Sequence, residues 1–173
     1  IVLEGPEAIL DTSGVGPGGN VNLLGNVIVD TNASVLSSKD IVINGTVNSG
    51  FPGAGSLILA APTGTVTVAD DIGGLSPLGS VQATAQALQT QAILLDGPNT
   101  QVTLSIGTSG TINGAINSNT LVKSGPGRLE LTSENSTLGT LRIEAGLLES
   151  SRIFNLGAPN LIDLAGGTLR TSD

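Results

Sequence analysis

The composition of this chain leaves carboxylate chemistry as the main route to catalysis. Its 173 residues include no His and no Cys, so imidazole bases, thiol nucleophiles and the usual zinc ligands are missing. Paired Asp and Glu side chains can cleave polysaccharides, and Asp70 with Asp71 is the candidate pair. Adjacent residues of an extended strand point to opposite faces, so these two carboxylates could converge only in a turn. We therefore predict no catalytic residues, and an enzyme is the least favoured function.

Calcium binding is a second chemistry to weigh, because four aspartates fall in segments that the sequence predicts to be corners. These are Asp30, Asp40, Asp70 and Asp71. The sequence contains neither the Gly-Gly-x-Gly-x-Asp repeat nor the EF-hand loop that would build a calcium site from such residues. Solvated corners are the favoured interpretation, and we predict no metal and no cofactor.

Short strands must hold these corners in place. The sequence pattern of such strands is clearest in residues 121–150. Two segments alternate aliphatic with charged residues, as expected where one face of a strand is buried and the other is wet. The segments are Arg128-Leu129-Glu130-Leu131 and Leu141-Arg142-Ile143-Glu144. Turn-forming residues at 124–127 and 133–137 separate them. The pattern predicts strands with outward pairs of Arg and Glu between polar corners.

Residues 123–131, KSGPGRLEL, followed by residues 144–148, EAGLL, resemble the autotransporter-associated β-strand repeat. The similarity extends over residues 121–171. Earlier segments, such as residues 64–68, GTVTV, are more loosely similar to repeats of filamentous-haemagglutinin-like surface proteins. The resemblance implies a right-handed β-helix within the long secreted passenger of a bacterial surface protein. It implies almost nothing about a ligand.

Composition independently favours an all-β solenoid. The chain has 25 Gly and 2 Phe but no Trp, Tyr or Met, and its mean hydropathy is +0.31. A thin column of Leu, Ile, Val and Ala must therefore serve as the core, which suits a stack of coils better than a compact domain. We predict a right-handed parallel β-helix with roughly three strands per coil. Residues 1–173 form a single segment of it, interpreted as an excerpt from a longer repetitive chain.

Internal similarity fixes a predicted coil length. Residues 145–150 align with residues 166–171 at an offset of 21, whereas residues 139–142 align with residues 167–170 at an offset of 28. We favour 21, which gives about eight coils and a rod about 40 Å long at about 4.8 Å per strand. It also stacks Leu148 on Leu169. The residues predicted to point into the column are Leu129, Leu131, Leu141, Ile143, Leu148, Leu164 and Leu169.

Residues 80–95 are the one segment that could be either helix or strand. Ala, Gln and Leu favour a helix, but Val81, Ala83, Ala85 and Ala87 alternate with polar residues, and we predict a strand. Residues 48–55 and 72–79 are predicted to bulge as loops. Core or loop packing is predicted for both aromatic residues, Phe51 and Phe154.

Charge and hydropathy constrain the partners. The formal charge is −8 with no basic cluster, which disfavours nucleic acid, and no apolar run is long enough for a membrane span. Neither end of the sequence resembles a cap, so neighbouring coils or end-to-end subunits are the expected partners. The favoured function is a non-catalytic stalk or fibre segment of a large extracellular or cell-surface bacterial protein. The alternative is a module that binds glycans or host proteins, recognisable by an exposed patch or by a groove floored by the two loops.

Overall fold

The chain forms a β-solenoid of parallel strands that makes about seven turns. This architecture is seen in a computed structural model, which describes residues 1–5, 7–12, 14, 19–134 and 137–171. The predicted turn at Pro6, parts of the predicted loop at 13–20 and part of the corner at 133–137 lie outside those ranges. The prediction of an all-β parallel solenoid with roughly three strands per coil is confirmed.

Seventeen strands make up the stack within the described ranges. In chain order they are β1 (Val2–Leu3), β2 (Ala8–Asp11), β3 (Val21–Leu23), β4 (Val27–Val29), β5 (Asn32–Leu36), β6 (Ile41–Ile43), β7 (Val47–Ser49), β8 (Ser56–Val68), β9 (Ser80–Thr90), β10 (Ile93–Leu94), β11 (Gln101–Ile112), β12 (Ile116–Ser124), β13 (Arg128–Leu131), β14 (Thr137–Ile143), β15 (Leu147–Ser150), β16 (Leu161–Leu164) and β17 (Thr168–Thr171).

The strands line up in three walls. Wall A runs through β2, β5, β8, β9, β11, β12, β14 and β16, and wall B through β3, β6, β8, β9, β11, β13, β15 and β17. Wall C contains β1, β4, β7, β10 and the first residues of β12 and β14, with Ile72 as a bridge. Long strands such as β8 and β11 belong to two walls because they bend at a corner, where the ladder shifts register and then resumes.

The strand register confirms the 21-residue offset. Leu148 pairs with Leu169, while Leu141 pairs with Ile162, which rules out the 28-residue alternative. Coil length nevertheless varies along the stack. The step from Ala8 to Ala33 spans 25 residues, and the step from Val102 to Leu121 spans 19. The differences are absorbed in the corners and loops, since the walls themselves stay in parallel register.

An aliphatic column fills the solenoid. Of the residues predicted to point into it, five are at most 2 % exposed, and these are Leu129, Leu131, Leu141, Ile143 and Leu148. Leu169 packs against the same column but is only partly buried. Leu164 was predicted to be inward and aligns with buried Ile143, yet 54 % of it is exposed. It lies in the last described coil, where no further strand covers it.

Residues 80–90 form a strand, β9, as predicted, but the alternation of buried residues does not continue to its end. Val81, Ala83 and Ala85 are buried, whereas Ala87 is only half-buried and Leu88 takes the inward position. The chain passes from wall A to wall B at Gln86, and the ladder shifts register at the same corner of the neighbouring strands. Before this corner the odd-numbered residues of β9 point inward, and after it the even-numbered residues do. A strict period of two does not predict this change.

Both aromatic side chains lie outside the column. Phe51 is 71 % exposed at the tip of the predicted loop, so packing in the core is wrong for it. Phe154 is 75 % exposed in a 3-10 turn, Ile153–Leu156, which precedes β16. The structure contains no helix, within the ranges it describes, that is long and apolar enough to cross a membrane.

Candidate functional site

Two of the aspartates considered as ligands or catalysts instead bind the backbone of a neighbouring coil. Asp40 Oδ1 accepts a hydrogen bond of 2.8 Å from the Thr65 N–H, and Asp71 Oδ1 accepts one of 3.0 Å from the Ala92 N–H. Asp70, next to Asp71, is exposed. These carboxylates satisfy corner N–H groups that the sheet ladders leave unpaired. Among the described residues, no group of three or more acidic side chains is arranged to hold a metal ion.

Asparagine side chains play the same part at other corners. Asn26 Oδ1 accepts a hydrogen bond of 3.2 Å from the Thr46 N–H. Asn48 Oδ1 accepts two, from the N–H groups of Leu75 at 2.9 Å and Ser76 at 3.1 Å. Corner acceptors that reach about one coil along the chain are therefore a repeated feature, and Asn48 uses one to hold the loop at 72–79.

Glycines make room for these acceptors. A Cβ atom on Gly45 would lie 2.6 Å from Asn26 Oδ1, and one on Gly64 would lie 2.0 Å from the Lys39 carbonyl oxygen and 2.8 Å from Asp40 Oδ1. Real side chains do not approach so closely. The lack of a side chain at these glycines therefore allows the polar corner residues of the preceding coil to approach closely.

An ion-pair ladder crosses the outer face of wall B. The predicted pair of Arg128 with Glu130 is present at 2.9 Å, and Arg128 also contacts Glu149 of the next coil. Glu149 in turn accepts a hydrogen bond of 3.0 Å from Arg170 Nε, one coil further. Hydrogen bonds from Arg128 and then Arg170 lower the pKa of the Glu149 carboxyl, and the bond to Glu149 raises the pKa of Arg128. The sequence predicted the pair within one strand but missed the two links between coils.

Wall A carries a shorter version of this ladder. Arg142 Nε lies 3.1 Å from Glu144 Oε1, as predicted, and Arg142 Nη1 lies 3.7 Å from Asp163 Oδ2 of the next coil. All three side chains are more than 40 % exposed, so each contact contributes little to stability on its own.

The most unusual residue of the interior is Lys123, which sequence reasoning treated only as part of a motif. Its side chain is fully buried, and Nζ donates hydrogen bonds to the carbonyl oxygens of Ser124 at 2.7 Å, Gly125 at 2.8 Å and Ala145 at 3.2 Å. Burial lowers the pKa of Lys123 to about 8, although carbonyl oxygens favour the charged form. The signal that could have placed this lysine inside is its position two residues after buried Leu121 on one strand.

A shallow depression lies on the outer face of wall A. Its volume is about 190 Å³, and its lining includes hydroxyl and amide groups around Ile58, contributed by Ser56, Ser80, Gln82, Gln101 and Thr103. The Ser56 and Ser80 hydroxyl oxygens lie 2.7 Å apart, and Gln101 Nε2 donates a bond of 2.9 Å to Thr103 Oγ1. Since no charged side chain lines it, the depression suits a neutral, hydroxylated ligand better than an ionic one.

The two predicted loops protrude side by side from adjacent coils. The Gly53 N–H donates a hydrogen bond of 2.8 Å to the Pro77 carbonyl oxygen, which holds the loops together. Phe51 and Leu75 are exposed on them by 71 % and 85 % respectively. The predicted bulges are confirmed only in their middle parts, because Asn48 and Ser49 belong to β7 and Ile72 and Leu78 are buried. The loops present two apolar side chains to solvent.

Comparisons of the chain with protein-family models, with curated proteins and with solved structures find no match.

Proposed function

We propose that this chain is a rigid, non-catalytic spacer segment of a large secreted or cell-surface bacterial protein. The observation that carries the proposal is the unbroken parallel register of walls A and B, each of which contributes eight strands to one continuous stack. In the described residues, successive strands of both walls are joined by parallel ladders, so bending requires many ladder bonds to distort together.

The corners and outer faces support the same function. Corner acceptors such as Asp40 and Asn26 tie neighbouring coils, and the arginine and glutamate ladders tie three more coils on wall B. These contacts join one coil to the next. The polar side chains of the described corners serve the stack itself, which favours a mechanical role over a catalytic one.

Export to the cell surface is proposed on the resemblance of residues 121–171 to autotransporter passenger repeats. The absence of Cys is compatible with this, because such a chain can pass through compartments of any redox state unfolded. The partners proposed for the spacer are further coils of a longer chain, or subunits stacked end to end through exposed strand edges.

Rigidity can be measured between the two ends of the stack. Since the chain has no native Cys, spin labels can be attached at Asn22→Cys paired with Thr111→Cys or with Thr168→Cys, all on wall B. Residues 22 and 111 are four coils apart, and residues 22 and 168 are seven coils apart. At about 4.8 Å per coil, the two separations are about 19 and 34 Å. Narrow distributions centred near these values are expected in pulsed dipolar spectroscopy. A broad or bimodal distribution for the longer pair would contradict a rigid spacer.

A glycan-binding module is the second candidate, favoured by the depression around Ile58. Neutral polysaccharides would be tested on a glycan array with the native chain and with a Gln82→Ala/Gln101→Ala variant. Gln89→Ala, an exposed glutamine on wall B, serves as the control. Binding that the double variant abolishes and the control retains would favour this second function. The spacer proposal expects no glycan to bind at this position.

A further inference from the structure

Lys123 breaks an inward series of residues on wall A that is otherwise aliphatic. In register along wall A, the inward position is occupied successively by Leu10, Val35, Leu59, Ala83, Leu104, Lys123, Ile143 and Leu164. Leu104 and Ile143 lie directly before and after the lysine in this series. Placing an ammonium group here costs desolvation, so it needs compensation from groups at its tip.

Backbone carbonyl oxygens supply part of that compensation. The ammonium has three N–H groups, and it meets three carbonyl oxygens within 3.2 Å, two from the corner after β12 and one from the corner after β14. In the described part of the chain, no carboxylate lies within 4 Å of Nζ, since every ion pair there involves an arginine. Carbonyl oxygens alone are a ligand set that proteins use for monovalent cations.

Glycines give the two corners the shape that this arrangement needs. Gly125 has φ +73° and Gly146 has φ +70°, conformations that L side chains rarely adopt. A Cβ atom on Gly146 would lie 2.6 Å from the Gly125 carbonyl oxygen and 2.4 Å from that of Gly127. The two corners therefore stack closely, with the carbonyl oxygens of both close to Nζ.

We infer that the corners after β12 and β14 form a carbonyl-lined cation site, and that the ammonium of Lys123 is its tethered native occupant. The site takes primary ammonium ions, which carry a positive charge and three N–H donors on one face. Its occupant joins the two successive corners through backbone oxygens alone. This inference does not depend on the spacer function, because it concerns contacts between two coils and not the rigidity of the whole stack.

The native protein provides a direct test, because Lys39 and Lys123 are its only lysines and Lys39 is exposed. In lysine-selective 15N NMR near pH 6, the Lys123 ammonium is expected to exchange its protons at least about tenfold more slowly than that of Lys39. An amine-acetylating reagent is expected to modify Lys39 and spare Lys123 in the folded chain. Equal exchange and equal acetylation would overturn the inference, since the ammonium would then be in water.

Chemical rescue tests the identity of the ligand. Lys123→Ala removes three carbons and the ammonium, a shape that n-propylammonium reproduces. At about 100 mM, this ion is expected to raise the Tm of Lys123→Ala by about 3 °C over the same concentration of tetramethylammonium, which has no N–H donors. Leu104→Ala is the matched control, because it opens an apolar cavity at the preceding position of the column.

The controls separate the possible outcomes. No rise in Leu104→Ala together with a rise in Lys123→Ala supports the site. An equal rise in both variants would show that the ion only fills apolar space, and no rise in either would show that free ammonium is not bound; both results overturn the inferred ligand specificity. If Lys123→Ala does not fold, the exchange and acetylation measurements on the native chain still decide whether the ammonium is enclosed.

Discussion

Leu148 and Leu169 are parallel partners in adjacent coils, 21 residues apart in the chain, with Leu148 fully buried and Leu169 partly buried. The same relationship recurs along walls A and B, where the inward side chain of one strand packs on those of its two neighbours. Stability therefore comes from nearest-neighbour contacts, and a single substitution tests one step of the stack.

Truncating a column residue should be costly. Leu131 is 2 % exposed, so Leu131→Ala is expected to lower the free energy of unfolding by about 2 to 5 kcal/mol, through lost burial and the cavity left behind. Urea denaturation followed by circular dichroism measures the change. Leu75→Ala is the control, because Leu75 is 85 % exposed and its truncation should cost less than about 0.5 kcal/mol. A comparable small loss for Leu131→Ala would mean that the register is wrong.

A methyl group should not be tolerated where a glycine faces the preceding coil. Gly64→Ala would place Cβ 2.0 Å from the Lys39 carbonyl oxygen, so this corner must shift and the variant should be destabilised by more than about 1 kcal/mol. Gly14→Ala is the matched control, since a Cβ there has no neighbour within 4 Å. Thermal melts of the two variants should differ clearly, and equal Tm values would contradict the close approach of the coils.

Stability should rise with pH between about 8 and 10.5. The pKa of Lys123 is about 8 in the folded chain and returns to 10.5 when unfolding exposes the side chain. Between these values the unfolded chain binds the proton and the folded chain does not, so the free energy of unfolding increases with pH by up to about 3 kcal/mol. Below pH 8 both states are protonated, and Lys123 gives no pH dependence.

Lys123→Met isolates this effect, because it keeps the length of the side chain and removes the charge. The chain has no Tyr and no Cys, so few other groups titrate in the same window. The surroundings of Lys123 add no ion-paired partner: Leu104 and Ile143 flank it on neighbouring strands, and Glu144 in the next corner pairs with Arg142. Identical pH profiles for the native chain and Lys123→Met would refute the assignment.

The ladder on wall B should weaken in acid. Contacts with Arg128 and Arg170 lower the pKa of Glu149, so its stabilising contribution is present above pH 4.5 and is lost as pH falls through the lowered folded value. The urea midpoint of the native chain should therefore fall more steeply below pH 4.5 than that of Glu149→Gln, and the difference should shrink in 1 M salt. Glu7→Gln, at an exposed residue of the first coil, should follow the native profile.

Much of the architecture follows from the sequence because its cause is local. Alternation at residues 128–131 and 141–144 identifies two strands and their inward faces, and the matching segments at 145–150 and 166–171 give the offset that the register confirms. Glycine-rich and polar segments predict corners because only certain residues tolerate such backbone conformations. The outward pair of Arg128 and Glu130 is also local, since the two residues are neighbours on one strand.

Contacts between coils were decided only by the tertiary structure. Coil length varies between 19 and 26 residues among the paired strands, so the residue that lies beside Asp40 or Asn26 in the next coil cannot be found by counting. The corner at Gln86 reverses the alternation and turns Leu88 inward in place of Ala87. The contact of Arg170 with Glu149 was not predicted, although the 21-residue offset places these two residues side by side.

The environment of Lys123 depends both on the local backbone and on contacts between coils. Lys123 lies two residues after buried Leu121 on β12, so the two side chains point the same way, but this orientation was not predicted from the sequence. The structure brings the Ala145 carbonyl from the following coil to Nζ, and with Ser124 and Gly125 it completes the set of three acceptors. Side-chain direction is determined by the local backbone, whereas the compensation of a buried charge depends on groups that only the stacking of coils brings together.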